Sequence, residues 1–436
     1  MRSRHTWSRT DSASASLPGR REATTLPPFR GLSVLVVGEL LARVLSFLAF
    51  TVITRRLGPD AFGPVAVSLA CLQVATLLVE SGLPLIGARE VARDRLRAPG
   101  LLAEILTIQW RVALGLVFAS FVALLSGVIS GPLGALVPAY ALTLLLLPPA
   151  ARWLFQGLDE MRWIAWPQVT RYAAFLVLTM AWVKGPDDWR RLPWLELASL
   201  ALSTSLCVIV LRAKGLSLSS PRERTPGLLS EAVLVGTTQL AWVVRMYLPT
   251  LILWSTVTVA DVGRFDVAHR VFIVLQGLLD MYFVNVYPTL ARATAAPRPE
   301  LRALLSHSLL LTAGATLVAV LVGVPSARWT LGLLFGSSFA GPESVASLRW
   351  LLCALPVVAW RAHSRLVLIA LRRPGFEVCA SVLGIVVVAT LSLAWAGRYG
   401  IAGAAAAILA SEVLAAAVGT WLALKVSRTS PDRSRA

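Results

Sequence analysis

Several ionisable residues stand inside long apolar runs of this sequence, where a charge needs a reason. Glu39 and Arg43 are four residues apart and so share one face of a helix. Arg171, Arg245, Asp280 and Glu412 each interrupt a separate apolar run, and Glu80 stands near the end of another. His269 and Arg270 are adjacent, while Arg361 and Arg365 share a helical face from which His363 is turned away. Arginine stays charged at any depth and offers a planar fork of donors suited to phosphate or carboxylate oxygens. Arg43, Arg171, Arg245, Arg270, Arg361 and Arg365 are therefore the candidate ligands for an anionic headgroup. Glu39, Glu80, Asp280 and Glu412 are the candidates to carry a coupling ion, with His269 and His363, whose rings ordinarily titrate near neutrality. A second reading is purely structural: Glu39 pairs with Arg43, Asp280 pairs with Arg245, and each histidine is packed and hydrogen-bonded. Arg111 and Glu196 are expected to snorkel to an interface.

The elements that must position these groups are membrane helices. The chain is 56% hydrophobic and only 15% charged, with a mean hydropathy of +0.71. Apolar runs of the length a helix needs to cross a bilayer core of about 30 Å recur from end to end. They are too long and too uniformly apolar for barrel strands, and unpaired backbone has no other home in lipid. Twelve spans are expected, at 31–54, 62–86, 106–129, 134–155, 163–183, 193–213, 231–256, 264–290, 303–324, 345–370, 375–396 and 400–424. Trp163, Trp189 and Trp194 fit an interfacial belt.

A net charge of +18 would suggest nucleic acid if the arginines were clustered on a soluble face. They sit instead in short loops: Arg89, Arg93, Arg95 and Arg97; Arg152 and Arg162; Arg212, Lys214, Arg222 and Arg224; Arg372 and Arg373. This positive-inside pattern puts both termini in the cytoplasm, with Arg55–Arg56 as a local exception. Residues 1–30 read as a disordered basic tail without a cleavable signal, so the first span is expected to act as the insertion signal. Cys71, Cys207, Cys353 and Cys379 lie inside apolar runs without metal-ligand spacing. No cofactor or metal is expected, no phosphate-cradling glycine loop is present, and no catalytic motif is visible.

The hydrophilic stretch 214–230 divides the spans into an N-terminal six-helix bundle (31–213) and a C-terminal one (231–424), followed by a tail at 425–436. A faint repeat links the halves: Gly63 and Gly263 occupy equivalent places, Glu39 falls opposite Gln239, and Arg43 lies near the register of Arg245. Two halves that both begin inside make a parallel repeat around an axis along the membrane normal.

Four segments in order resemble polysaccharide-exporting flippases of the Wzx type. They are Leu57-Gly58-Pro59 with Phe62-Gly63, leading to Glu80-Ser81-Gly82-Leu83; VGRFDVAHR at 262–270; LFGSSFA at 334–340; and GIAGAAAAILASE at 400–412. The resemblance covers about 31–425 and implies the multidrug/oligosaccharidyl-lipid/polysaccharide exporter fold: an all-α polytopic membrane protein whose twelve helices form two six-helix bundles around a central cleft. It implies as substrate an undecaprenyl-pyrophosphate-linked oligosaccharide, with a polymerase and co-polymerase as possible partners at the inner membrane. The family's motifs reach Glu80, Gly82, His269 and Arg270, whereas the other candidates rest on their own chemistry. A multidrug exporter of the same fold and a polymerase- or ligase-type membrane enzyme are the alternatives. The first would want an acidic, aromatic cavity, and the second a long external loop, for which 325–344 is the best available stretch.

Overall fold

A computed structural model describes residues 29–216, 225–293, 298–370 and 374–429. Most of the tail read at 1–30 lies outside the described residues, as do Arg222 and Arg224, Arg372 and Arg373, and the end of 425–436. Among the described residues the regular structure is helical: α1 (Phe29–Glu80), α2 (Leu83–Arg93), α3 (Ala98–Leu125), α4 (Gly131–Ala141), α5 (Leu147–Ala150), α6 (Arg152–Gly157), α7 (Arg162–Trp182), α8 (Leu192–Ala213), α9 (Leu228–Thr256), α10 (Val259–Ala293), α11 (Arg298–Phe335), α12 (Pro342–Ala370) and α13 (Pro374–Thr429).

Seven stretches are long and apolar enough to cross a membrane. Two of them hold two crossings each, because α1 bends at Gly58 (φ 73°) and α13 at Gly400 (φ 58°). Only glycine takes these backbone angles without strain. Three further crossings, α7, α9 and α10, carry Arg171, Arg245, Asp266, Arg270 and Asp280, which lower their hydropathy. The twelve crossings form two six-helix bundles, with the legs of α1 packed against α9 and α10 of the second bundle.

Three expectations need correction. The second span ends at Glu80, not 86, because Ser81 (φ 44°) and Gly82 (φ 74°) turn the chain into α2, a separate amphipathic helix. The span expected at 134–155 is broken: α4 passes into a tighter 3-10 turn over Leu142–Leu146, then α5, then α6, with Ala151 in the left-handed region. Pro148 and Pro149 have no N–H to continue the ladder. The freed carbonyls of Leu145 and Leu146 accept instead from Trp110 Nε1 (3.1 Å) and the Thr204 hydroxyl (3.0 Å) of neighbouring helices. Lastly, the external loop read at 325–344 is mostly helix, since α11 continues to Phe335.

Arg55 and Arg56 depart from the loop-charge pattern for a local reason. Arg55 donates to the carbonyls of Leu333 and Leu334 at the end of α11, and Arg56 to that of Met180 (2.7 Å) at the end of α7. Both cations thus cap the exposed carbonyls of helix C-termini.

Candidate functional site

The bundles touch at both ends of the molecule. At the Gly58 end, Phe50 and Phe62 of α1 meet Phe335 and Phe339 edge to face. Gly63 and Gly263, the equivalent pair of the repeat, let backbones approach: a Cβ on Gly263 would lie 2.5 Å from the Pro59 carbonyl oxygen. At the opposite, arginine-rich end, a Cβ on Gly236 of α9 would lie 2.6 Å from the Ser81 carbonyl carbon. Arg89 of α2 closes the same seam with a two-pronged salt bridge to Glu231 of α9, at 2.6 and 2.8 Å. Among the described residues the bundles are thus in contact at both ends of the seam.

Between these ends lies a charged cluster built from both bundles. Arg245 (α9) and Arg361 (α12) clasp the same carboxylate, Glu412 (α13), at 2.9 and 2.8 Å. Arg245 is 1% exposed and Glu412 fully buried. From the other bundle, Arg43 (α1) lies against α10, where a Cβ on Gly277 would fall 2.7 Å from its Nη1. Arg43 is half-exposed and sits 3.6 Å from Glu39. Asp280 (α10) is within electrostatic reach of Arg43, Arg361 and Arg365. Among the described side chains, the guanidinium groups of Arg43, Arg245, Arg361 and Arg365 thus gather with the carboxylates of Glu39, Asp280 and Glu412.

The sequence-based candidates therefore separate. The structural pairing of Glu39 with Arg43 is present, but Arg245 pairs with Glu412 and not with Asp280. Arg245 and Arg361 are buried against Glu412. Arg270 does not join them: it bonds Asp266 at 2.8 Å and sits 3.8 Å over the Phe50 ring. Ten residues of α10, about 15 Å of helix rise, separate it from Asp280. Arg171 pairs with Glu196 inside the N-terminal bundle, so Glu196 is buried and does not snorkel. Glu80 faces Arg152 in the same bundle.

Both histidines are packed. His363 Nδ1 donates to the Ala359 carbonyl (2.8 Å), which leaves Nε2 to accept from Ser308 (3.0 Å), itself bonded by Tyr282. His269 is buried between the rings of Phe265 and Phe272 with Tyr247 at its edge. Sequence reasoning missed the Arg89–Glu231 bridge, because nothing local relates two residues on separate bundles. It also missed Asp266, although its place four residues before Arg270 was a readable signal.

A family model described as "Polysaccharide biosynthesis protein" matches residues 29–294, more than half of the chain. The fold is similar to a multidrug resistance MATE family transporter of the MOP superfamily in an inward-facing conformation. The TM-score is 0.72 at 14% identity, covering 90% of this chain and 98% of that one. It is also similar to the lipid II flippase MurJ in an inward closed conformation (TM-score 0.66, 13% identity, 91% and 90% covered). A third likeness is to a MOP superfamily transporter from Pyrococcus furiosus, described as having a binding pocket of reverse polarity that suggests a different function. There the TM-score is 0.54 at 14% identity, with 91% and 93% covered. No curated protein matches the sequence significantly.

Proposed function

The chain belongs to the polysaccharide biosynthesis protein family, and from that membership we propose that it flips an undecaprenyl-pyrophosphate-linked oligosaccharide across the bacterial inner membrane. It is a multi-pass membrane protein with the exporter fold. The observation that carries the reading further is the cluster shared by Arg43 of one bundle and Arg245, Arg361 and Arg365 of the other. A gathering of four guanidinium groups at a bundle seam suits a diphosphate, whose oxygens accept bidentate donors. A cationic drug would meet repulsion there, which weighs against the multidrug reading.

In this mechanism both termini are cytoplasmic, and the arginine-rich end with Arg89–Glu231 is the cytoplasmic gate. The aromatic and glycine contact at the Gly58 end is the periplasmic one. The diphosphate enters when the cytoplasmic gate parts, and it competes with Asp280 and Glu412 for the arginines. The bundles then rock so that the gates exchange, while the prenyl tail stays in lipid. A proton or sodium ion taken by Glu412 or Asp280 weakens their hold on the arginines and ties ion movement to cargo movement. The chain acts as a carrier and not an enzyme, and it hands its product to a polymerase and co-polymerase.

The test is flipping of a fluorescent prenyl-pyrophosphate oligosaccharide in proteoliposomes, with and without an ion gradient. Wild type should flip, and Arg43→Ala and Arg361→Ala should lose at least about tenfold, the effect expected of one charge-assisted contact. Wild-type protein that flips no such lipid but exports cationic dyes would overturn the substrate and leave the fold.

A further inference from the structure

Inside the N-terminal bundle lies a cavity of about 230 Å³ that is separate from the central cluster. Its polar wall comes from Glu80 of α1, Gln109 of α3, Arg152 and Gln156 of α6, Gln168 of α7 and Ser203 of α8. Gln109, Gln168 and Ser203 are only 4%, 9% and 5% exposed. None of these three side chains makes a hydrogen bond within the protein among the described residues. Buried amides and hydroxyls are nearly always satisfied, so side chains turned to a cavity without protein partners await water or a ligand.

A second, independent observation concerns the backbone. Pro148, Ala150 and Ala151 of the broken fourth crossing also line the cavity. Ala151 holds φ 40° without being glycine, which costs about 1–3 kcal/mol and persists only where the surroundings impose it. Irregular backbone at membrane depth is tolerated where it is buried in protein or lines a cavity. Substrate sites of transporters are typically formed by such discontinuous helices.

The chemistry of the wall narrows the occupant. A metal cation would want oxygens alone, and an anion would want donors alone. Amides and a hydroxyl do both, and Glu80 and Arg152 add an acceptor and a set of donors. The charges balance, with Glu80 facing Arg152, and Arg171 at the cavity's edge already bound to Glu196. Trp153 supplies an apolar ring in the same wall. An uncharged, hydroxyl-rich ring with one apolar face meets all of these conditions, and the volume suits one ring and not a chain of them.

We propose that this cavity is a glycosyl subsite, which holds a single neutral sugar ring of the cargo in the N-terminal bundle. That the ring belongs to the cargo rests on the flippase reading, whereas the binding of a sugar does not. The subsite would give the carrier a preference for particular glycans that the diphosphate cluster, blind to the sugar, has no means to supply.

The test is saturation-transfer NMR on the full-length protein in lipid nanodiscs, with a panel of methyl glycosides of hexoses, N-acetylhexosamines and deoxyhexoses as probes. At least one glycoside should give signal in wild type and in the control Phe118→Ala, whose ring is exposed on the outer face of α3 away from the cavity lining. Gln109→Leu and Gln168→Leu should each weaken its binding about tenfold, as loss of a buried hydrogen-bonding partner does. Ser203→Ala, the mildest change, keeps the test open if a glutamine variant fails to fold, and should weaken binding about threefold. Binding unchanged in the folded variants overturns the subsite, as does displacement of the bound glycoside by sodium ions alone. Wild type that flips the fluorescent lipid but binds no glycoside also overturns it and leaves the flippase reading standing. Glycoside binding without lipid flipping does the reverse.

Discussion

Two alanine substitutions should push the carrier in opposite directions. A Cβ on Gly236 would lie 2.6 Å from the Ser81 carbonyl carbon and 2.8 Å from its oxygen. A Cβ on Gly263 would lie 2.5 Å from the Pro59 carbonyl oxygen and 3.2 Å from the Gly63 nitrogen. Ordinary van der Waals contact begins near 3.4 Å, so each added methyl forces the helices about 1 Å apart against backbone that has no rotamer to change. Overpacking of this kind costs about 1–3 kcal/mol. Because it is incurred only when that end closes, it shifts the conformational equilibrium by about 5- to 150-fold. Gly236→Ala should open the arginine-rich end and Gly263→Ala the Gly58 end. Spin-label distances read this directly, in protein whose four cysteines are replaced by serine, with one label pair at Arg93 and Leu229 and the other at Trp182 and Leu333. Gly236→Ala should lengthen only the first distance and Gly263→Ala only the second. The reasoning fails if either variant lengthens the other's distance, or if neither distance changes.

Other outcomes follow from the same contacts. Glu412→Gln removes the charge that Arg245 and Arg361 share, and should destabilise the protein by about 3–5 kcal/mol, the range for breaking a buried pair. An unchanged thermal midpoint by tryptophan fluorescence would contradict the clasp. Arg89→Glu should favour opening of the arginine-rich end, and Glu231→Arg in the same chain should restore closure. High salt should mimic the single change, because both side chains are solvent-exposed. Arg270→Met strands the buried Asp266 and should lower stability by about 1–3 kcal/mol. Arg270→Lys should recover part of that loss in the same denaturation experiment.

Much of the architecture was readable because hydropathy is a local property. Each apolar run reports its own need for lipid, so the twelve crossings and the charges within them follow from one pass along the chain. The misreadings arose where backbone, not hydropathy, decides. The Ser81–Gly82 turn and the break at Pro148–Ala151 sit within apolar text, and their irregular dihedrals are tolerated only because neighbours such as Trp110 and Thr204 satisfy the freed carbonyls. Sequence alone also placed Arg171 and Arg270 in one set with Arg43 and Arg245. They are alike in type and depth, and pairing is what separates them.

The sequence by itself determined which residues are charged at membrane depth, and, through i,i+4 spacing, that Glu39 can meet Arg43. Pairings between crossings are of another kind. That Glu412 serves both Arg245 and Arg361, that Arg43 reaches across the seam to Gly277, and that Gly236 meets Ser81 were decided by the packing of helices far apart in the chain. The physical reason is range. Helix spacing fixes neighbours only within a turn or so, whereas a buried ion pair or a close glycine contact exists only once two whole bundles have chosen their distance and rotation.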